Sequence, residues 1–291
     1  MGMAVVTVAA GGLPIVESTV GGTPVTEATN GRGVPVTKVV GKPGMPVVYE
    51  TIGTSGGASA PPLDAFTTGL TGAWSMSRKL LTSYGGSFYT DTSGTVSTLF
   101  DQSGAGRNFV QGSGIRPLVA TQGGIVVADL TPNVHQMTTT AAMNQFITAS
   151  AGYIVVVVYM DAHVSTQSVV WRDGVVATQV SVLTSTAQMS AYNDDGAADS
   201  AAGAATVVSP PNGYVMTWRH EGGVIYANLN GGTDVSVASG NTTNLTGGFI
   251  FGRITSYGFD GKFYEAYMWN TVPSAGDRAA IIAQAKTLLG I

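Results

Sequence analysis

The 291-residue sequence contains no cysteine, so disulfides and thiolate metal sites are excluded and the redox compartment is unconstrained. Charge is scarce: Asp, Glu, Lys and Arg make up 10% of the chain, against about a quarter in an average soluble domain. A surface so poor in charge must be wetted by Thr, Ser, Asn and Gln, or be covered by neighbours in an assembly. The 13 Lys and Arg are scattered and the formal net charge is −4, which leaves no basic face for DNA or RNA and argues against a nucleic-acid partner. No stretch approaches the ~20 apolar residues of a membrane helix, the longest being 153–160, so membrane insertion is not expected. The opening Met1-Gly2-Met3-Ala4-Val5-Val6 lacks the basic region of a signal peptide, and Val6 stands where a myristoylation signal needs Ser or Thr. These absences predict a soluble protein made in the cytoplasm.

Aromatics are missing from the first 48 residues, and that stretch is instead repetitive. Gly12-Leu13-Pro14-Ile15, Gly22-Thr23-Pro24-Val25, Gly33-Val34-Pro35-Val36 and Gly44-Met45-Pro46-Val47 recur at near-constant spacing, each pairing a turn signal with a short β-branched run. Each proline removes a ladder donor, so these segments suit sheet edges or polyproline-like extension. Without aromatics they cannot build a core that covers the entropy of ordering. Residues 1–51 are therefore predicted to be an extended anchoring arm that reaches partners through Pro14, Ile15, Pro24, Val25, Pro35, Val36, Pro46 and Val47. Fully extended, such an arm spans up to ~165 Å. Residues 52–62, rich in Gly, Ser, Ala and Pro, read as a linker.

From Leu63 the pattern becomes β. Tyr153-Ile154-Val155-Val156-Val157-Val158-Tyr159 shows no alternation and predicts a strand buried on both faces. Hairpins are signalled by Arg172-Asp173-Gly174 and by Glu221-Gly222-Gly223, where alternating Tyr214, Met216 and Trp218 lead in and Val224 to Leu229 returns. Arg78-Lys79-Leu80-Leu81 is compatible with a short helix, though its apolar period is brief. A final helix opens at Ser274, with Asp277 in the capping-box position, carries Ala279, Ile282, Ala283, Lys286 and Leu289, and stops at Gly290. It is expected to pack on an edge or flank.

The segment around which these strands are organised is Leu99-Phe100-Asp101-Gln102-Ser103-Gly104-Ala105-Gly106-Arg107-Asn108-Phe109-Val110. It reads as strand, tight turn, strand, with Asp101 and Ser103 bonding backbone amides and Gly104 and Gly106 supplying positive φ. Its D-Q-S-G-x-G-x-N pattern resembles a segment of concanavalin-A-like β-sandwiches related to fungal α-L-arabinofuranosidase B. Ala73 to Leu81 with Ser83-Tyr84-Gly85-Gly86, then Gly248 to Gly252 and Gly261 to Ala266, are similar to that group's opening and closing segments. The Trp218 to Gly231 hairpin also resembles laminin-G sandwiches. The resemblance covers residues 66–291 and implies an all-β, concanavalin-A-like jelly-roll sandwich, residues 63–291, with a C-terminal helix and an extended repetitive N-terminal arm. Domains of this kind also occur in bacteriophage virion proteins.

In the arabinofuranosidase group the nucleophile is a Glu in a D-x-E-N-N strand and the acid an Asp in a G-G-D-N segment. The corresponding stretches here, 190–194 and 252–256, lack those carboxylates, so the chain is not expected to be an enzyme. Asn193, Asp194, Asp195 and Asp199 lack the pattern of a calcium loop, and His135, His163 and His220 lack metal spacing. No metal or cofactor is expected. Asp101 is assigned to its turn and Glu265 to a hydrogen bond at a sheet end. The reading that results is a structural virion protein, a head decoration or fibre anchored to capsid or tail proteins by its arm and assembled as a homo-oligomer, preferably a trimer. The alternative is a module binding cell-surface glycans through Trp171, Tyr192, Trp218 and Tyr257, with Tyr226 and Trp269 also available, or an arabinofuranosidase-like hydrolase. Core filling is the competing use of those aromatics.

Overall fold

A computed structural model describes 22 strands, a single 3-10 turn at Asp64–Phe66 and the terminal helix. In residues 1–60 only the backbone of five strands is described. From residue 61 the backbone is described except at 113, 133, 143–144, 149–150, 163–166, 174–178, 184–187, 194–198, 208–209, 239–247 and 253–257, and the side chains of 163–209 are likewise left aside. The chain forms two compact units, Met1–Gly56 and Gly57–Ile291.

In the first unit, β1 (Val6–Ala10), β2 (Leu13–Val20), β3 (Thr23–Thr29), β4 (Pro35–Val40) and β5 (Val48–Glu50) form an antiparallel meander in sequence order. The first three repeats each fall at the start of a strand, β2, β3 and β4. The proline of each falls at or beside a strand end, Pro14 opposite Ala9, Pro24 opposite Thr19 and Pro35 opposite Thr29, where a missing amide costs the ladder least. Ile15 and Val25 sit in register with Val8 and Ser18, and Val36 lies on β4. Pro46 and Val47 lie outside the described residues.

The second unit is a two-sheet sandwich, as the sequence predicts. Its first strands are β6 (Leu70–Ser75), β7 (Tyr89–Asp91), β8 (Val96–Leu99), β9 (Phe109–Val110), β10 (Leu118–Gln122), β11 (Ile125–Leu130), β12 (Gln136–Ala142) and β13 (Gly152–Ala162). Then come β14 (Gln167–Asp173), β15 (Gln179–Leu183), β16 (Gln188–Asn193), β17 (Asp199–Val207), β18 (Asn212–Glu221), β19 (Val224–Leu229), β20 (Val235–Ala238), β21 (Gly248–Gly252) and β22 (Asp260–Trp269). One sheet runs β10-β11-β22-β13-β18-β19-β20, with β6 also on β22, and the other β17-β16-β15-β14-β21-β12-β9-β8-β7.

β13 explains the unalternating run. Ile154, Val156, Val158 and Met160 enter the cluster between the sheets, together with Trp74, Phe109, Met216, Trp218, Phe249, Phe251 and Phe263. Tyr153, Val155 and Val157 point the other way, into a second cluster on the outer face of the eight-stranded sheet. Covering that face are Leu63, Leu80 and Leu81 from the segment before and after β6, and Ile281, Ile282, Ala285 and Leu288 from α1 (Ala275–Leu289). At about 1.5–3 kcal/mol for each large apolar side chain buried, both clusters are needed. The helix thus lies on the face of the sheet, against β13 and β18, and not at an edge. Ser274 caps it, its Oγ accepting from the Asp277 amide at 3.2 Å and donating to the Asp277 carboxylate at 2.7 Å. Gly290 closes it at φ 71°. Residues 76–81 form bends and no helix, because Leu80 and Leu81 are buried against the sheet.

Candidate functional site

The motif residues that carry the family resemblance fasten the fold. Asp101 Oδ1 accepts from the amides of Ala73 at 3.0 Å and Ser103 at 2.9 Å, while Oδ2 accepts from Ser103 Oγ at 2.9 Å and the Arg107 amide at 3.1 Å. Gln102 bridges the Leu80 amide and the Arg78 carbonyl, and Asn108 closes the turn onto the Asp101 amide at 2.9 Å. The D-Q-S-G-x-G-x-N loop therefore ties β8 and β9 to β6 across the two sheets.

Glu265 is equally committed, but in mid-strand and not at a sheet end. It is fully buried and takes Arg78 in a two-pronged pair, Nε at 2.7 Å and Nη2 at 2.8 Å, with Ser75 Oγ at 2.8 Å and the Tyr267 hydroxyl. A register shift in β22 opposite Val157 and Val158 turns this carboxylate to the outer face. Burial opposes the Arg78 charge, yet the adjoining Glu265 holds the guanidinium above its ordinary range. The Tyr267 hydroxyl is pushed well up, by burial first and then by Glu265.

The side chains positioned to meet a ligand lie toward the β20 edge of the same sheet, where α1 packs on β18. The β18–β19 hairpin turns through Gly222 at φ 60° and Gly223 at φ 74°, the two-residue turn that positive φ permits. Its register sets Arg219 opposite Tyr226, and the guanidinium stacks 3.6 Å over the Tyr226 ring. Glu221 and Asp234 each bind that guanidinium at 2.6 Å. Arg219 is only 10% exposed while the two carboxylates are 50% and 42% exposed, so the acids present oxygens to solvent from a fixed base.

Asn228 continues the network, its Nδ2 donating to Asp234 Oδ1 at 2.9 Å and its Oδ1 accepting from the Gly231 amide at 2.9 Å. Asn230, at φ 54°, accepts from the Val215 amide at 2.7 Å through Oδ1. The turn so built faces α1 across a cleft of about 370 Å3, with Asn228, Asn230 and Asp234 on one wall and Arg278, Ile282 and Lys286 on the other.

Two further polar groups stand out. Lys262 on β22 lies 3.6 Å from Asp129 on β11 and bonds Asp161 on β13. Burial opposes its charge, but the Asp161 bond and the two carboxylates raise its pKa overall. Asp260 beside it is shifted up, by burial first and then by Asp161, and Tyr264 is pushed up to about 12 by burial, Tyr159 and Asp161. A second cleft of about 370 Å3 is lined by Thr92, Thr95, Arg116, Leu118 and His135. Burial holds the His135 imidazole down, and its Nδ1 accepts from the Thr131 amide at 3.0 Å. Among the described residues, no three His, Cys, Asp or Glu converge as a metal site.

The comparisons with known proteins bear on the fold. Solved structures of similar β architecture are found among several proteins. A GH54 α-L-arabinofuranosidase is similar over 78% of this chain and 64% of its own, at 14% identity and TM-score 0.57. A Trypanosoma rangeli sialidase is similar over 97% of this chain and 44% of its own, at 10% identity and TM-score 0.52. Botulinum neurotoxin type C, which depends on two ganglioside molecules to get into cells, is similar over 77% of this chain and 53% of its own, at 8% identity and TM-score 0.56. No family model matches the chain, and no curated protein does. Likeness at such identities establishes the fold.

It also corrects one expectation. The missing family carboxylates do not exclude an enzyme, since the solved structures of this architecture include an arabinofuranosidase and a sialidase.

Of the aromatics proposed for sugar contact, Trp218 is 1% exposed within the inner cluster, because residues of β18 on its side of the strand face the other sheet, and it offers no ring to a ligand. Trp269 is also buried, its indole bonded to the Phe66 carbonyl at 2.7 Å. Trp171 and Tyr192 lie on β14 and β16, paired with Phe251 and with Gln179 and Ser200, and their side chains lie outside the described residues, as does Tyr257. Among those of the six whose side chains are described, Tyr226 is half-buried and lies under the Arg219 guanidinium. Sequence reasoning missed Arg219, Asp234, Arg278 and Lys286. The signal was there in the Asn228-Leu229-Asn230-Gly231 turn and in the charges on α1, but joining them requires knowing which face the helix covers.

Proposed function

We propose that the sandwich recognises glycans, with the cleft between α1 and the β19–β20 turn as its sugar site. The observation that carries this reading is a cleft of about 370 Å3, within the usual range of small-ligand sites, whose polar side chains are held in place by one another. Amide, carboxylate and guanidinium groups fixed in this way match the paired donors and acceptors of sugar hydroxyls. An arabinofuranosidase, a sialidase and a ganglioside-dependent toxin sharing the architecture support the assignment of ligand class. A glycan array probed with the full chain should give hits that Asp234→Ala weakens about tenfold while leaving the melting temperature close to wild type. An array without hits ends the proposal.

Hydrolysis is the second reading. It is favoured by the Lys262 cluster, in which Asp260 is pushed toward its protonated form while Asp129 and Asp161 flank the ammonium, the separation of carboxylate roles that glycoside hydrolysis uses. Release of nitrophenol from 4-nitrophenyl α-L-arabinofuranoside, abolished in Asp260→Asn, is its test.

Attachment of this domain to an assembled particle through residues 1–51, with trimeric association, is a separate proposal supported by the repeat, whose Pro14-Ile15, Pro24-Val25 and Pro35-Val36 steps fall on successive strands β2, β3 and β4. A chain lacking residues 1–55 that still joined particles would overturn it.

A further inference from the structure

We infer that the glycan taken by the α1 cleft is acidic, bearing a carboxylate or a sulfate ester. The inference rests on the sugar-site reading above and concerns what the site selects. Arg278 and Lys286 lie eight residues apart on one helix, about 12 Å along its axis, and both line the cleft. Neither is within ion-pair distance of a carboxylate among the described residues. Arg278 Nη1 donates to the Pro273 carbonyl at 2.7 Å and Lys286 Nζ to the Asn230 carbonyl at 3.4 Å, contacts that orient the two cations without neutralising them.

Among the described residues Asp234 is the one carboxylate that lines the cleft, and it is already taken by Arg219 and Asn228. The cleft therefore presents uncompensated positive charge on a chain whose net charge is −4. A neutral sugar would offer both cations only hydroxyl oxygens, whereas an anion gives stronger charge-assisted hydrogen bonds, and Arg278 in particular can offer a fork to a planar carboxylate.

Tyr153, buried on the same face of the sheet, lies within the field of these groups: burial pushes its hydroxyl up, while Arg278 and a Thr217 hydrogen bond pull it down.

The test compares matched pairs on the full chain by calorimetry: 3′-sialyllactose against lactose, a hexuronate oligosaccharide against its neutral analogue, and a sulfated against an unsulfated disaccharide. The expected result is a preference of about tenfold or more for the acidic member of at least one pair, weakening as salt is raised. The pair that responds tells carboxylate from sulfate. Lys286→Gln, on the last turn of α1, should remove most of the preference without altering the fold, and Arg278→Gln should do the same if the helix cap survives. Equal binding of neutral and acidic members, unaffected by Lys286→Gln, overturns the inference and leaves the sugar-site reading standing. No binding of any member overturns both.

Discussion

At the scale of residues, the chain spends its few charges on fixed positions. Asp101 accepts four hydrogen bonds, three of them from backbone amides of β6 and its own turn, so its removal orphans buried donors as well as deleting bonds. Asp101→Ala should cost about 3 kcal/mol in urea unfolding, reasoning from charge-assisted bonds and unsatisfied amides. Ser103→Ala, which loses one side-chain contact to Asp101, should cost about 1 kcal/mol.

The tyrosines give a pH dependence. Tyr153, Tyr264 and Tyr267 all have hydroxyls pushed above the ordinary 10.0, burial being the first cause in each. A pKa raised on folding stabilises the fold fully below the unfolded value and loses that contribution as pH rises from there toward the folded value. Stability should therefore hold up to about pH 10 and fall above it. Tyr153→Phe, which removes one of these buried titrating hydroxyls, should flatten that fall in melting curves taken from pH 8 to 11. An unchanged slope would refute the assignment to Tyr153.

At the scale of elements, local chemistry was legible and register was not. The Asp101 turn can be read because its carboxylate, hydroxyl and glycines act within seven residues, and β13 because a run without alternation permits few other placements. Trp218 was misassigned for the opposite reason: alternation separates the two faces of β18 but does not say which one meets the second sheet. Helix α1 shows the same limit. Its apolar residues were counted from Ala279, Ile282, Ala283 and Leu289, yet the buried set is Ile281, Ile282, Ala285 and Leu288, which turns Ala279 and Ala283 outward to line the cleft. Ile281→Ala should accordingly cost about 2–4 kcal/mol, while Ala283→Ser should change stability by less than about 0.5 kcal/mol. Urea midpoints for the two variants would distinguish this helix phase from the one counted on the sequence.

At the scale of the whole molecule, the two units differ in what could sustain them. Both aromatic-rich clusters, between the sheets and beneath α1, are built from residues after position 62. The first unit has no aromatic residue before Tyr49, and its strands are short, the longest being the eight residues of β2. Removing residues 1–55 should therefore leave the cooperative unfolding of the sandwich in place, with a melting temperature within a few degrees of the full chain, because no member of either cluster is lost. Residues 1–56 alone should show no cooperative transition, since a single meander whose first aromatic residue is Tyr49 does not outweigh the entropy of ordering. Differential scanning calorimetry of the two fragments beside the full chain checks both halves of the claim. A truncated sandwich that melts far below the full chain would mean that the meander contributes to the sandwich's stability, and the repeat would then have to be read as part of the fold.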